Sequence, residues 1–253
     1  MKHGKFVLET CADSPESAIA AEKGGADRLE MCGHLIIGGV TPDEWLYREI
    51  RRVCSLPVRV LIRPRFGDFC YSRHEFEIIQ NQVKHFRELG ADAVVIGCLT
   101  PEGNLDMDKM GRLTELAGGM EITLHRAFDV CRDPFEAMEQ AISLGIGTIL
   151  TSGQESSSLK GQECLKKLQE QAEGRITIMA GAGVNAEAIE KLYPLTGICA
   201  YHMSGKKVEP SVMQYRKEGV PMGLPGISEF EIWRTEEEAV KKASEVLERF
   251  SGT

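Results

Sequence analysis

Glu9 and Cys11, Glu30 and Cys32, Arg63 and Arg65, His125 and Asp129, and His202 and Ser204 stand at the ends of short apolar runs, two or four residues apart. Side chains alternate faces along a strand, so residues at these spacings point the same way. If those faces are inward, carboxylates, guanidiniums, imidazoles and thiols meet in one mouth. Such a set suits acid–base chemistry. Glu9, Glu30 or Asp129 would serve as general base, and His125 as acid or electrophile. Arg63 and Arg65 would clamp an anionic group or a developing oxyanion. A buried charge is costly unless paired, so Glu9 or Glu30 with either arginine also reads as a structural salt bridge. The convergence of so many groups points instead to a site.

Two further patterns add to this. Small residues follow the seventh and eighth apolar runs, with Gly181 and Gly183 before Asn185, and Ser204 and Gly205 after His202. Ser152 and Gly153 follow the sixth. Exposed backbone N–H groups and the start of a helix favour an anion there, although glycines also simply turn a chain. Cys11 and Cys32 occupy similar places at the first two tips, and two thiolates are what Cu(I) prefers. Two reduced buried thiols are the alternative. No C-x-x-C or H-x-x-x-H spacing suggests zinc. Arg59, His34, His74 and His85 fall outside the tip pattern and read as surface or packing residues.

The elements that must position these groups are short strands alternating with helices. Strands are expected at 6–11, 27–32, 58–65, 92–98, 121–126, 147–152, 175–180 and 197–203. Ser14 followed by Pro15 marks a helix start. Gly25, Gly90 and Gly145 each sit where a helix ends in the left-handed conformation. Thr235 and Glu238 form a T-x-x-E capping box for a last helix. Eight strands alternating with helices in 253 residues predict an α/β fold, a TIM-type (β/α)8 barrel with parallel strands, whose site lies at the C-terminal tips. The chain 1–253 reads as one domain. Residues 205–232, rich in Gly and Pro, form a long excursion before the C-terminal helix.

Composition narrows the partners. The net charge of -8 argues against nucleic acid or an anionic membrane. No run approaches the roughly 20 apolar residues that span a bilayer. The eight cysteines are dispersed and no secretory signal is evident, so reduced thiols in a cytoplasmic protein are expected.

Taken together, Leu8-Glu9-Thr10-Cys11, Gly25 to Cys32 (GADRLEMC), Gly38 to Pro42 (GGVTP), Ile62-Arg63-Pro64-Arg65, Gly67-Asp68-Phe69, Thr123 to Asp129 (TLHRAFD), Ile149 to Gly153 (ILTSG), Gly181 to Val184, and His202 with Ser204 resemble the CutC family, named for copper homeostasis. The resemblance implies a TIM-type barrel, a cytoplasmic location and a homo-oligomer. It also implies Cu(I) binding at the barrel mouth, with Cys11 and Cys32 matching the cysteines suggested as ligands. The residues themselves leave a second function open: an enzyme acting on a small phosphorylated or carboxylated metabolite, as isomerase, lyase or hydrolase.

Overall fold

In a computed structural model, which describes residues 3–217, 219–220, 222–223 and 226–252, eight parallel strands close a barrel in sequence order. They are β1 (Val7–Ala12), β2 (Arg28–Met31), β3 (Val58–Leu61), β4 (Ala93–Ile96), β5 (Glu121–Leu124), β6 (Thr148–Thr151), β7 (Thr177–Ala180) and β8 (Ala200–Met203). Closure comes from β8 pairing with β1, which sets Glu9 opposite His202. The β1–β2 register sets Cys11 opposite Glu30. Apart from β1, each barrel strand spans four residues, shorter than its expected run, so the tips turn into loops early.

Helices α1 (Pro15–Gly24), α2 (Glu44–Val53), α3 (Arg73–Glu88), α4 (Met107–Ala117), α5 (Pro134–Ser143), α6 (Gln162–Ala172), α7 (Ala186–Thr196) and α8 (Glu237–Ser251) follow the strands. The Ser14 hydroxyl accepts from Ser17 N–H, with Pro15 in the first turn. Gly25 closes α1 at φ 91°, a conformation costly for residues with a Cβ. Gly24 has a different reason to be glycine: a methyl there would fall 2.6 Å from Val240 Cβ, so α8 packs directly on α1.

The expected capping box of the last helix does not form. Thr235 is the final residue of a strand, its N–H bonded to Ser17 Oγ and its hydroxyl donating to Ser204 O. Thr235 therefore links the barrel mouth to α1 through its hydroxyl and its N–H, and α8 begins after Glu236. The expected excursion 205–232 opens with β9 (Lys206–Pro210) and ends in the first residues of β10 (Glu231–Thr235), and the two strands pair antiparallel. Residues 218, 221, 224 and 225 of the excursion lie outside the described residues. No helix among the described residues is long and apolar enough to cross a membrane.

The main apolar core lies between barrel and helices, from Phe6 and Leu8 round to Tyr201 and Leu247. Among the described residues, two small apolar clusters lie apart from this core, Cys32 with Leu61 and Val95, and Leu150 with Met179 and Ala200. Charged side chains fill the space between them.

Candidate active site at the barrel mouth

Glu9, fully buried, is the hub of the interior. One carboxylate oxygen accepts from Arg28 Nε at 2.6 Å and the other meets His202 Nδ1 at 2.9 Å. Arg59 Nε stands 3.6 Å from Glu9, and its guanidinium also pairs with Glu121. Burial alone would raise the Glu9 carboxyl, but Arg28, the His202 hydrogen bond and Arg59 hold it down at about 2.

Glu30, on the neighbouring strand, is as deeply buried but has no guanidinium of its own, and its Oε2 has no partner. Burial pushes its carboxyl up to about 7, and the Glu9 charge adds to that rise against the pull of His202 and Arg59. Two close carboxylates do not ionise alike, and here the one with direct cationic partners keeps the charge. Burial opposes a charge on His202, yet Glu30, Cys11 and Glu9 around it raise its pKa well above the ordinary imidazole value. The interior at neutral pH is thus a fixed Glu9 carboxylate beside Arg28 and imidazolium His202, with Glu30 poised to take or give a proton.

The opposite wall is built from the tips of β3 and β5. Arg63 is held by backbone carbonyls, its Nη1 donating to Gly38 O and Gly39 O and its Nη2 to Gly67 O. It lies 4.9 Å from the centre of the Phe69 ring. His125 lies against the same ring, with centroids 4.8 Å apart. Its Nδ1 accepts from Ala127 N–H at 3.2 Å. Burial and the nearby Arg63 charge push its pKa down to about 3, so the ring is neutral. Glu30, Arg63, His125, His202, Cys11 and Cys32 all line one cavity of about 270 Å³. Ala182 and Gly183, in the loop into α7, also line it.

A family model described as the CutC family matches residues 6–207. The chain belongs to the CutC family. Among CutC relatives, the protein of Parabacteroides distasonis is 44% identical over 94% of this chain and 98% of its own length. That of Histophilus somni is 42% identical over 93% and 98%. A crystal structure of a CutC protein from Streptococcus agalactiae, named for copper homeostasis, superposes with TM-score 0.75 at 30% identity, covering 79% of this chain and 98% of that one. N-(5'-phosphoribosyl)anthranilate isomerase from Pyrococcus furiosus, at 12% identity and TM-score 0.55, shares the barrel alone.

CutC membership implies copper, and the soft donors that would hold Cu(I) here are Cys11 and Cys32. Both Cys11 and Cys32 line the cavity, but burial, then Cys11 and Glu30, push the Cys32 thiol well above its usual range. Cu(I) bound at these cysteines would displace the thiol protons, so the raised thiol makes binding pH-dependent. Among the described residues the one group of three or more possible donors within 4.8 Å is Glu9, Glu30 and His202. That set is oxygen and nitrogen rather than sulfur, and Glu9 is already bonded to Arg28 and His202.

The structure places the expected site residues of this CutC protein in two groups. Glu9, Glu30, Arg63, His125, His202, Gly183, Ser204, Cys11 and Cys32 are at the cavity or directly beneath it. Arg65 is not, because β3 ends at Leu61 and the alternation stops; it pairs with Asp68 on the loop and Glu75 in the first turn of α3. Asp129 is not, because a 3₁₀ turn over Arg126–Val130 follows His125. Its carboxylate accepts from Thr151 hydroxyl and from the N–H groups of Ser152 and Gln154, bracing the β6 tip. Ser152 donates to Glu155 O, and Gly153 sits tight against Gly161. Gly181 packs on Leu150, and Gly205 on Val240 and Thr235. These four shape loops rather than face the cavity.

Sequence reasoning missed Arg28 and set Arg59 aside as a surface or packing residue, whereas Arg59 is buried beside Glu9. The available signal was the same period of two, counted backwards from Glu30 and from Arg63.

Proposed function

We propose that this CutC protein is an enzyme that uses acid–base chemistry on a small anionic metabolite, phosphorylated or carboxylated, at the barrel mouth. One observation carries the reading. Glu30 Oε2, Arg63 Nε and His125 Nε2 are buried, lack any protein partner, and belong to side chains lining a single cavity. An unpaired buried polar atom costs about 1–3 kcal/mol, and a ligand that answers all three recovers that cost. Glu30 is the proton carrier, Arg63 the anion holder and His125 a neutral hydrogen-bond donor. Glu9, Arg28 and Arg59 position Glu30 and His202 rather than touch the ligand. Ser204 and the Ala182–Gly183 loop offer room for a second anionic group.

Ligand-observed NMR across small carboxylates and sugar phosphates tests this. At least one compound is expected to bind the wild type and to be lost in Arg63→Lys, which keeps the charge but not the planar fork. Equal binding by both proteins would refute the reading.

A second reading, Cu(I) held by Cys11 and Cys32, is favoured by the fact that both thiols line the cavity. An anaerobic Cu(I) competition titration of wild type beside Cys11→Ser/Cys32→Ser decides it; only tight binding lost in the double variant supports it. Either reading is compatible with the expected cytoplasmic homo-oligomer. The eight free thiols favour a reducing compartment. The exposed apolar Val212 and Tyr215 favour association.

A further inference from the structure

His125 and Arg63 share a feature that acid–base chemistry alone does not require. Each presents a buried N–H with no acceptor in the protein. For His125 the hydrogen bond from Ala127 N–H occupies Nδ1 as an acceptor, so the ring proton resides on Nε2. The seat is built for that orientation. A methyl at Gly97 would fall 2.6 Å from His125 Cε1 and Nδ1, and Phe69 covers another side of the ring. For Arg63, three backbone carbonyls take both terminal nitrogens, which fixes the guanidinium and leaves Nε–H over. Both side chains pack on the Phe69 ring and line the same cavity. Two immobilised donors without an acceptor are what stabilises an oxygen that gains charge during a reaction. A neutral imidazole is suited to this, because it donates a hydrogen bond without surrendering a whole proton.

We propose that Arg63 Nε–H and His125 Nε2–H form an oxyanion site, and that the substrate is a small anionic carbonyl compound processed through an enolate. The proposal rests on the enzyme reading above and narrows it. In the step implied, the Glu30 carboxylate takes a proton from the carbon beside the carbonyl. The C–H electron pair becomes a C=C bond, and the carbonyl π pair moves onto oxygen, where the two N–H groups hold it. Returning the proton to the same carbon gives exchange; where that carbon bears a hydroxyl, moving the hydroxyl proton to the former carbonyl oxygen and returning the carbon-bound proton to the former carbonyl carbon gives isomerisation.

The probe is oxalate, a planar dianion that mimics the enolate of a 2-oxo acid, with glycolate as its tetrahedral control. In 15N-labelled wild type, the His125 ring should show the neutral Nε2–H form throughout pH 5–8. Oxalate should shift the His125 Nε2 and Arg63 Nε signals and bind at least about tenfold tighter than glycolate. His125→Asn and Arg63→Lys should each weaken oxalate about tenfold or more. If oxalate shifts cavity signals but binds both variants as tightly as wild type, the oxyanion pair is wrong and the ligand site stands. If neither anion moves any cavity signal, both readings fall. A His125 ring that titrates near the ordinary imidazole value in wild type overturns the proposal without recourse to any variant.

Discussion

Replacing Glu30 by Gln should stabilise this protein, and more at pH 8 than at pH 5. Glu30 has its carboxyl raised from 4.5 to about 7 by burial and by Glu9. In that window the unfolded chain has released the proton while the folded protein still holds it. Stability therefore falls as pH rises from about 4.5 to 7, and the penalty is constant above. A displacement from 4.5 to about 7 corresponds to roughly 3 kcal/mol at about 1.4 kcal/mol per unit. This is an upper bound, since Gln also removes the charge that attracts His202. Urea unfolding of both proteins at pH 5 and pH 8 gives a double difference in which most other titrating groups cancel. The expected double difference is one to three kcal/mol in favour of Gln at pH 8 (about half lies already below pH 6). No pH-dependent difference, or one of opposite sign, would show Glu30 to be an ordinary ionised carboxylate, unsuited to carry a proton at neutral pH.

Three other substitutions separate the roles assigned above. Arg28→Met removes the 2.6 Å partner of the buried Glu9 carboxylate, leaving it His202 and Arg59, and should cost about 1–3 kcal/mol in urea unfolding. Glu9 contributes stability above its unfolded value near 4.5 that is lost as pH falls towards 2, so the same variant should lose part of this acid-side dependence. Gly97→Ala drives a methyl into the His125 seat; a loss of about 1–3 kcal/mol with displaced His125 ring signals is expected, and an unchanged ring would contradict the tight packing. Asp129→Asn weakens the brace on the β6 tip and should cost roughly 1–3 kcal/mol while leaving ligand affinity within about threefold, since Asp129 does not face the cavity; a larger affinity loss would return it to the site.

Much of the barrel was legible in the sequence because buried parallel strands leave a local signature. Short apolar runs stopped by reactive side chains marked six of the strands and β-rich runs the other two, and Ser14-Pro15 and Gly25 marked the boundaries of α1. The strands of the 205–232 excursion were hidden for a physical reason. β9 is exposed along its whole length and β10 over its first residues, so neither carries a continuous apolar face, and the surrounding Gly and Pro dominate the composition. Arg65 and Asp129 misled because a period of two holds only while a strand lasts, and β3 and β5 end before them. Arg28 and Arg59 were overlooked because an arginine within a strand ordinarily marks a solvent face; here both turn inward to neutralise Glu9. Their burial depends on charge pairing across three strands, which no local pattern displays.

The most direct test of the proposed chemistry is carbon-bound hydrogen exchange in D2O. A panel of small anionic carbonyl compounds would be incubated with wild type and with Glu30→Gln and followed by proton NMR. If Glu30 is the proton carrier at this barrel mouth, one compound loses a C–H signal with wild type, and does so at least about a hundredfold more slowly with the variant. Exchange at equal rates in both proteins, or none with wild type across the panel, would contradict it.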